Sequence, residues 1–239
     1  MVRWDGRKPD QLREMNFEID YVDYPEGSVL ICAGNTRVLC NVSVEDDVPA
    51  WMAANDIPGG WITAEYGMLP RSTHTRRGRE TKGLSGRSQE IRRLIGRSLR
   101  AGFDLSQLGP RTCIVDCDVI QADGGTRTAA ITGGYIALRL ALGKLIDSGA
   151  IQKTVLGPPV AAISAGMISG EYLLDLCYQE DTGADLDFNI VKNGAGKFIE
   201  IQGTAEGTTF SREDLDHLLQ LADQGLEELF EFQKKIIDS

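Results

Sequence analysis

From about Thr128 to Ile146 the chain carries Ala129, Ile131, Tyr135, Leu138, Leu142 and Leu145, apolar nearly all the way round a helix. A helix without a polar face has to be buried, so the rest of the chain must supply its cover. At 239 residues, with 42% apolar and 25% charged residues, there is material for one large domain or two small ones with a core of normal size.

Strands precede this helix. Phe17, Ile19 and Tyr21 alternate with Glu18 and Asp20, the period of a half-buried strand. Val29 to Cys32 is a second strand, ending at the tight-turn pair Gly34-Asn35, and Val38, Cys40, Val42 and Val44 mark one face of a third. Trp61 to Tyr66 is a fourth. Gly67 to Gly86 is glycine-rich and poor in apolar residues, hence a loop. A helix from Ser88 places Ile91, Leu94, Ile95 and Leu99 on one face, and Thr112 to Gln121 alternates as a strand. Beyond Gly157-Pro158-Pro159 the pattern partly repeats. Val160–Ile168 and Tyr172–Cys177 form one expected hairpin, Phe188–Val191 and Lys197–Gln202 another. The last helix is capped by Ser211, with Asp214 at the capping-box position and Phe210 and Leu215 as a hydrophobic staple. The class is α+β, in two similar halves joined near Gly157.

The net charge of −10 argues at first against a nucleic-acid partner. Its distribution reverses that inference. Between Arg71 and Arg100 lie ten basic residues opposed only by Glu80 and Glu90, so that segment is +8 and the remainder −18. One concentrated basic segment in an acidic chain marks a localised anion site. The five cysteines have no paired close spacing and read as small buried apolar residues in a reducing compartment, with a zinc site as the weaker alternative. The polar N-terminus does not read as a signal peptide, and no apolar run reaches the ~18 residues of a membrane span. A cytoplasmic protein is expected.

Gln121-Ala122-Asp123-Gly124-Gly125-Thr126-Arg127-Thr128 is the sharpest local feature: a strand stops, two glycines follow, and a helix opens. Free backbone N–H groups at the positive end of a helix dipole, a threonine hydroxyl and a bidentate arginine together make a small phosphate cradle. An ordinary strand–turn–helix junction with a surface arginine has the same pattern. There is no Gly-Lys-Ser/Thr of a nucleoside-triphosphate loop. Arg87 lies at the mouth of the preceding helix, where its segment alone favours no special role. Asp181, Asp185 and Asp187, with Glu180 beside them, fit either a magnesium site or a solvated acidic loop. Arg71, Arg76, Arg77 and Arg79 form a nearly pure positive run, which favours contact with a nucleic-acid backbone over mere solubility. His74 and His217 have no visible nucleophile partner, which argues against a Ser-His-Asp hydrolase. No helix-turn-helix or finger pattern points to DNA.

Taken in order, Arg3-Trp4-Asp5-Gly6-Arg7, Pro25-Glu26-Gly27-Ser28-Val29, Gly60-Trp61-Ile62-Thr63-Ala64-Glu65-Tyr66, Glu90 to Arg100, Asp116 to Thr128 and Gln202-Gly203-Thr204-Ala205-Glu206-Gly207 resemble the bacterial RNase PH family across essentially the whole chain. The resemblance implies a part related to domain 2 of ribosomal protein S5 over residues 1–156 and a smaller α/β half over 157–239, packed as one unit. It implies a tRNA nucleotidyltransferase, that is, a phosphate-dependent 3′→5′ exoribonuclease acting on tRNA precursors, assembled as a homohexamer of three dimers. It implies that Arg87, Gly125, Thr126 and Arg127 bind the attacking phosphate and that Asp181 and Asp187 serve a divalent metal, with magnesium the expected ion. The arginine loop would guide the RNA. Arg92 and the segment from Val48 to Gly59 depart from the family pattern. The rival is a non-catalytic RNA-binding ring subunit, but such subunits tend to lose the cradle arginine or the aspartates, and this chain keeps both.

Overall fold

The computed structural model describes residues 3–238; Met1 and Val2, part of the polar N-terminal stretch, and Ser239 lie outside the described residues. Five strands, β1 (Met15–Ile19), β2 (Gly27–Ala33), β3 (Thr36–Glu45), β4 (Trp61–Met68) and β5 (Thr112–Gln121), form a sheet in the order β1-β2-β3-β5-β4. All pairs are antiparallel except β4 with β5. A parallel pair needs a crossover, supplied here by α2 (Gly86–Arg100). Between β3 and β4 a single turn, α1 (Ala50–Ala53), packs Trp51 edge-on against Trp61.

The alternation in β3 and β5 sets one face of this sheet. Val38, Cys40, Val42, Val115, Cys117 and Val119 are fully or almost fully buried, and α3 (Thr126–Asp147) lies across them. The helix approaches β2 so closely that a Cβ on Gly27 would stand 2.0 Å from the carbonyl oxygen of Ala137, so only glycine fits there. By length and hydropathy α3 could cross a membrane, but 67% of its most apolar window is buried inside the fold, as a core helix requires.

A second sheet covers the opposite side of α3. It contains β6 (Val160–Ile168), β7 (Glu171–Leu174), β8 (Leu186–Asn193) and β9 (Phe198–Ala205), in the order β7-β6-β8-β9. Its two faces part cleanly. Val160, Ala162 and Val191 join the core around α3, while Ala161, Ile163, Ala165, Phe188 and Ile190 pack with α5 (Arg212–Ile237). The layers run sheet, helices, sheet, helix. Ser211 caps α5 by accepting from the Asp214 N–H, and the Asp214 carboxylate accepts from the Ser211 N–H.

Several boundaries differ from the sequence expectation. The first strand stops at Ile19 rather than Tyr21 because Asp20 turns to φ +49°. The seventh stops at Leu174, not Cys177: Asp175 takes φ +54°, and its buried carboxylate is gripped by Arg13. Residues 178–181, expected as acidic loop, form the short helix α4 (Tyr178–Asp181). The third helix starts at Thr126, two residues early, on the left-handed Gly125. Of the cysteines, Cys32 is half-buried and the other four are buried; all five are free thiols.

Candidate active site

The turn from β5 into α3 is built from both ends. Gly124 (φ +75°) and Gly125 (φ +62°) take the left-handed conformation that glycine adopts without strain. A Cβ on Gly124 would come within 2.6 Å of the Leu176 carbonyl oxygen, so the turn lies directly against the second half of the chain. Arg13 holds it from behind: Nη1 donates to the Asp123 carbonyl at 2.7 Å while Nε and Nη2 bind the Asp175 carboxylate at 2.9 and 2.6 Å. Burial works against the Asp175 carboxylate, but Arg13 overcomes it and keeps the group's pKa below the usual carboxylate range. Arg3 makes a second buried pair with Glu180, at 2.7 and 2.8 Å, anchoring α4.

The first-turn N–H groups of α3 have no partner inside the helix. Beside them the Thr126 hydroxyl meets the buried Tyr66 hydroxyl at 2.8 Å. Burial raises the Tyr66 pKa, so its phenol stays protonated. Arg127 Nη1 donates to Gln202 Oε1 on β9 at 2.8 Å and lies 3.6 Å from Glu90 on α2, and Gln202 Nε2 donates back to Glu90 at 2.9 Å. Arg87, at the second position of α2, acts electrostatically on Tyr66, Asp181 and Asp187.

Two carboxylates line the same cavity as the cradle. Asp187 is on β8, opposite Gly166 of β6, and alternation aims it to the same side as Val191, toward α3. Asp181 ends α4. Neither side chain has a hydrogen bond or ion pair among the described residues. Burial, and then the neighbouring Asp181, push Asp187 up to about 6; burial likewise raises Asp181, with Arg87 and Arg127 pulling both back down. Arg87, Gly125, Thr126, Arg127, Asp181 and Asp187 line one cavity of about 320 Å³. Such a chamber, lined by the Arg87 and Arg127 guanidiniums and two carboxylates, suits a phosphate together with a counter-cation.

The structure divides the acidic group that the sequence placed together. Asp181 and Asp187 face the chamber, whereas Glu180 is committed to Arg3 and Asp185 accepts the Ser169 N–H at the β6–β7 turn, 2.7 Å away. The arginine loop is divided too. Arg77 reaches the chamber, Arg71 lines a neighbouring cleft, and Arg76 and Arg79 are exposed and line neither.

A family model for domain 1 of the 3′ exoribonuclease family matches residues 11–142, and one for domain 2 of that family matches residues 158–225. The chain belongs to the 3′ exoribonuclease family. Within that family it is similar along its whole length to proteins named Ribonuclease PH. The protein of Bacillus velezensis is 55% identical, with 99% of this chain and 97% of the relative aligned, and that of Bacillus subtilis is 54% identical with the same coverage. Among solved structures, an Archaeoglobus fulgidus exosome with RNA bound to the active site superposes with a TM-score of 0.81 at 22% identity, covering 96% of this chain and 91% of that one. This likeness bears on the fold alone, the two-domain RNase PH fold.

Sequence reasoning for this exoribonuclease chain did not reach the groups around the cradle: Tyr66, Arg13 with Asp175, Glu90 with Gln202, and the chamber residues Ser164 and Asn189. Asn189 carried a weak signal, two residues beyond Asp187 on one strand and so on the same face.

Proposed function

We propose that this chain is a phosphorolytic 3′→5′ exoribonuclease, a tRNA nucleotidyltransferase that trims the 3′ ends of tRNA precursors with inorganic phosphate. The full-length relatives support the activity. The single observation that carries the site assignment is the cradle of Arg87, Gly125, Thr126 and Arg127 sharing one chamber with two carboxylates whose side chains have no partner among the described residues.

In this reading the N–H groups opening α3 and the Thr126 hydroxyl donate to phosphate oxygens, and the two guanidiniums neutralise its charge. With the Tyr66 hydroxyl as the donor in its 2.8 Å contact with the Thr126 hydroxyl, the threonine hydrogen is free for phosphate. A phosphate oxygen attacks the phosphorus of the last phosphodiester. The bond to the 3′ oxygen of the preceding nucleotide breaks, that oxygen takes up a proton, and the terminal nucleotide departs as its 5′-diphosphate. Phosphate is already a nucleophile at neutral pH, so the protein's part is positioning and charge stabilisation.

Asp181 and Asp187 would hold a divalent cation such as Mg²⁺. Two carboxylates with no protein partner, in a site where no third acidic, His or Cys ligand is grouped with them among the described residues, fit an ion that keeps waters and takes phosphate oxygens. When bound it neutralises charge at the phosphorus centre. The exposed Arg71, Arg76, Arg77 and Arg79 guide the RNA backbone. The reading divides the chain into domains 1–156 and 157–239 and takes the working form as a cytoplasmic hexamer of three dimers. A non-catalytic ring subunit is disfavoured, because the cradle and both aspartates are retained.

The test is a tRNA precursor incubated with and without phosphate. Nucleoside diphosphate should accumulate only with phosphate. Nucleoside monophosphate in its absence would mean hydrolysis and overturn the reading.

A further inference from the structure

The chamber has a neighbour. A second, larger cleft of about 1050 Å³ lies beside it, between the N-terminal segment, the arginine loop and α4. Thr73, His74, Ala122 and Tyr178 line both cavities, so they form the wall between them. Tyr178 and His74 approach as a tilted ring pair, centroids 6.0 Å apart. Tyr178 is 46% exposed, and no hydrogen bond holds its hydroxyl among the described residues. Its position is fixed from the backbone instead. Tyr178 opens α4, its N–H donates to Asp123 in the cradle turn, and Asp181 closes the same helix turn. The cleft is also lined by Trp4, 75% exposed, and Arg71.

We propose that Tyr178 is a stacking platform for an RNA base at the junction of the two cavities, with His74 beside it, and that the second cleft takes the nucleotides upstream of the linkage being cut. This rests on the reading of the chamber as the phosphorolysis site and extends it to the RNA side. The chemistry favours it. An enzyme that removes successive nucleotides must accept whichever base comes next. Every base offers a π-face, so an aromatic surface holds the strand without reading its sequence. The chamber has room for one nucleotide-sized ligand, near the lower end of ligand pockets. The rest of the strand needs another place, and the adjoining cleft, about three times larger, offers an aromatic and an arginine for it.

The experiment measures binding of short labelled oligoribonucleotides by fluorescence anisotropy without phosphate, and separately the KM values for RNA and phosphate. Tyr178→Ala should weaken RNA binding and raise the RNA KM by roughly ten- to a hundredfold, the range of one base stack, while leaving the phosphate KM and the salt slope of binding unchanged. Tyr178→Phe should match the parent protein. An oligonucleotide made abasic at the stacked position should bind the parent protein weakly and lose nothing further with Tyr178→Ala. Affinity should rise from mononucleotide to trinucleotide as the second cleft fills. Unchanged RNA affinity in Tyr178→Ala, or equal losses in the Phe and Ala variants, would overturn the platform. Affinity that did not grow with length would overturn the cleft assignment. Tyr178-dependent binding by a protein that releases no nucleoside diphosphate would support the platform and sink the phosphorolytic reading instead.

Discussion

Arg127 Nη1 donates to Gln202 Oε1 at 2.8 Å, tying the opening turn of α3 to strand β9 of the second sheet. The same amide donates to Glu90, so three elements fix one guanidinium. Gln202→Ala frees Arg127 to swing toward Glu90. The phosphate KM should rise about tenfold, the lower end of what a hydrogen bond to a charged group contributes, with the RNA KM little changed. Steady-state rates at varied phosphate will show it, and an unmoved phosphate KM would mean that Arg127 needs no such hold.

Arg127→Ala should cost phosphorolysis far more than RNA binding. Loss of a charged donor on the reacting phosphate should lower the turnover efficiency by about a hundredfold or more. Anisotropy with a tRNA precursor gives the binding arm. Equal losses in the two arms would remove Arg127 from the phosphate site.

Asp187 is pushed up to about 6, against an unfolded value of about 3.9. A carboxyl raised in the fold favours the folded state below the unfolded value and loses that contribution as pH climbs through about 6. At neutral pH the ionised side chain therefore opposes folding when no cation is bound. Asp187→Asn should abolish turnover yet stabilise the metal-free protein at neutral pH, by on the order of 2 kcal/mol. Magnesium should raise the Tm of the parent protein and not of the variant. Thermal melts with and without magnesium decide it.

Asp175 behaves oppositely. Its pKa is held below the ordinary value by Arg13 against the effect of burial, so its contribution is present above the unfolded value and is lost as pH falls through the folded one. Arg13→Ala leaves a buried carboxylate unpaired and should cost about 3–5 kcal/mol at neutral pH. Lowering the pH, which protonates Asp175, should narrow that deficit. Urea unfolding at several pH values is the measurement.

Replacing Arg76 and Arg77 together should flatten the salt dependence of RNA binding by about 0.7 to 1 unit for each RNA phosphate that the loop no longer neutralises. An unaltered slope would place this loop off the RNA path.

Much of the fold was legible because periodicity is a local property. Alternation in Val38–Val44 and Cys113–Val119 and the all-round apolar character of the third helix each follow from side chains a few residues apart. The strand ends were less so. Leu174 and Ile19 end their strands because the next residue turns to positive φ, and at Asp175 the carboxylate there is bound by Arg13, far away in sequence.

The amino-acid sequence by itself determined the buried central helix, the glycine turn that opens it and the single basic segment in an acidic chain, since each is written in neighbouring residues. Only the tertiary structure decided which carboxylates matter. Asp181, Asp185, Asp187 and Glu180 are near-equivalent as text. A helix turn, a strand's alternation and the remote Arg3 and Ser169 send two into the chamber and two away from it. Electrostatic roles depend on distance through space, and that is set only when both sheets close on α3.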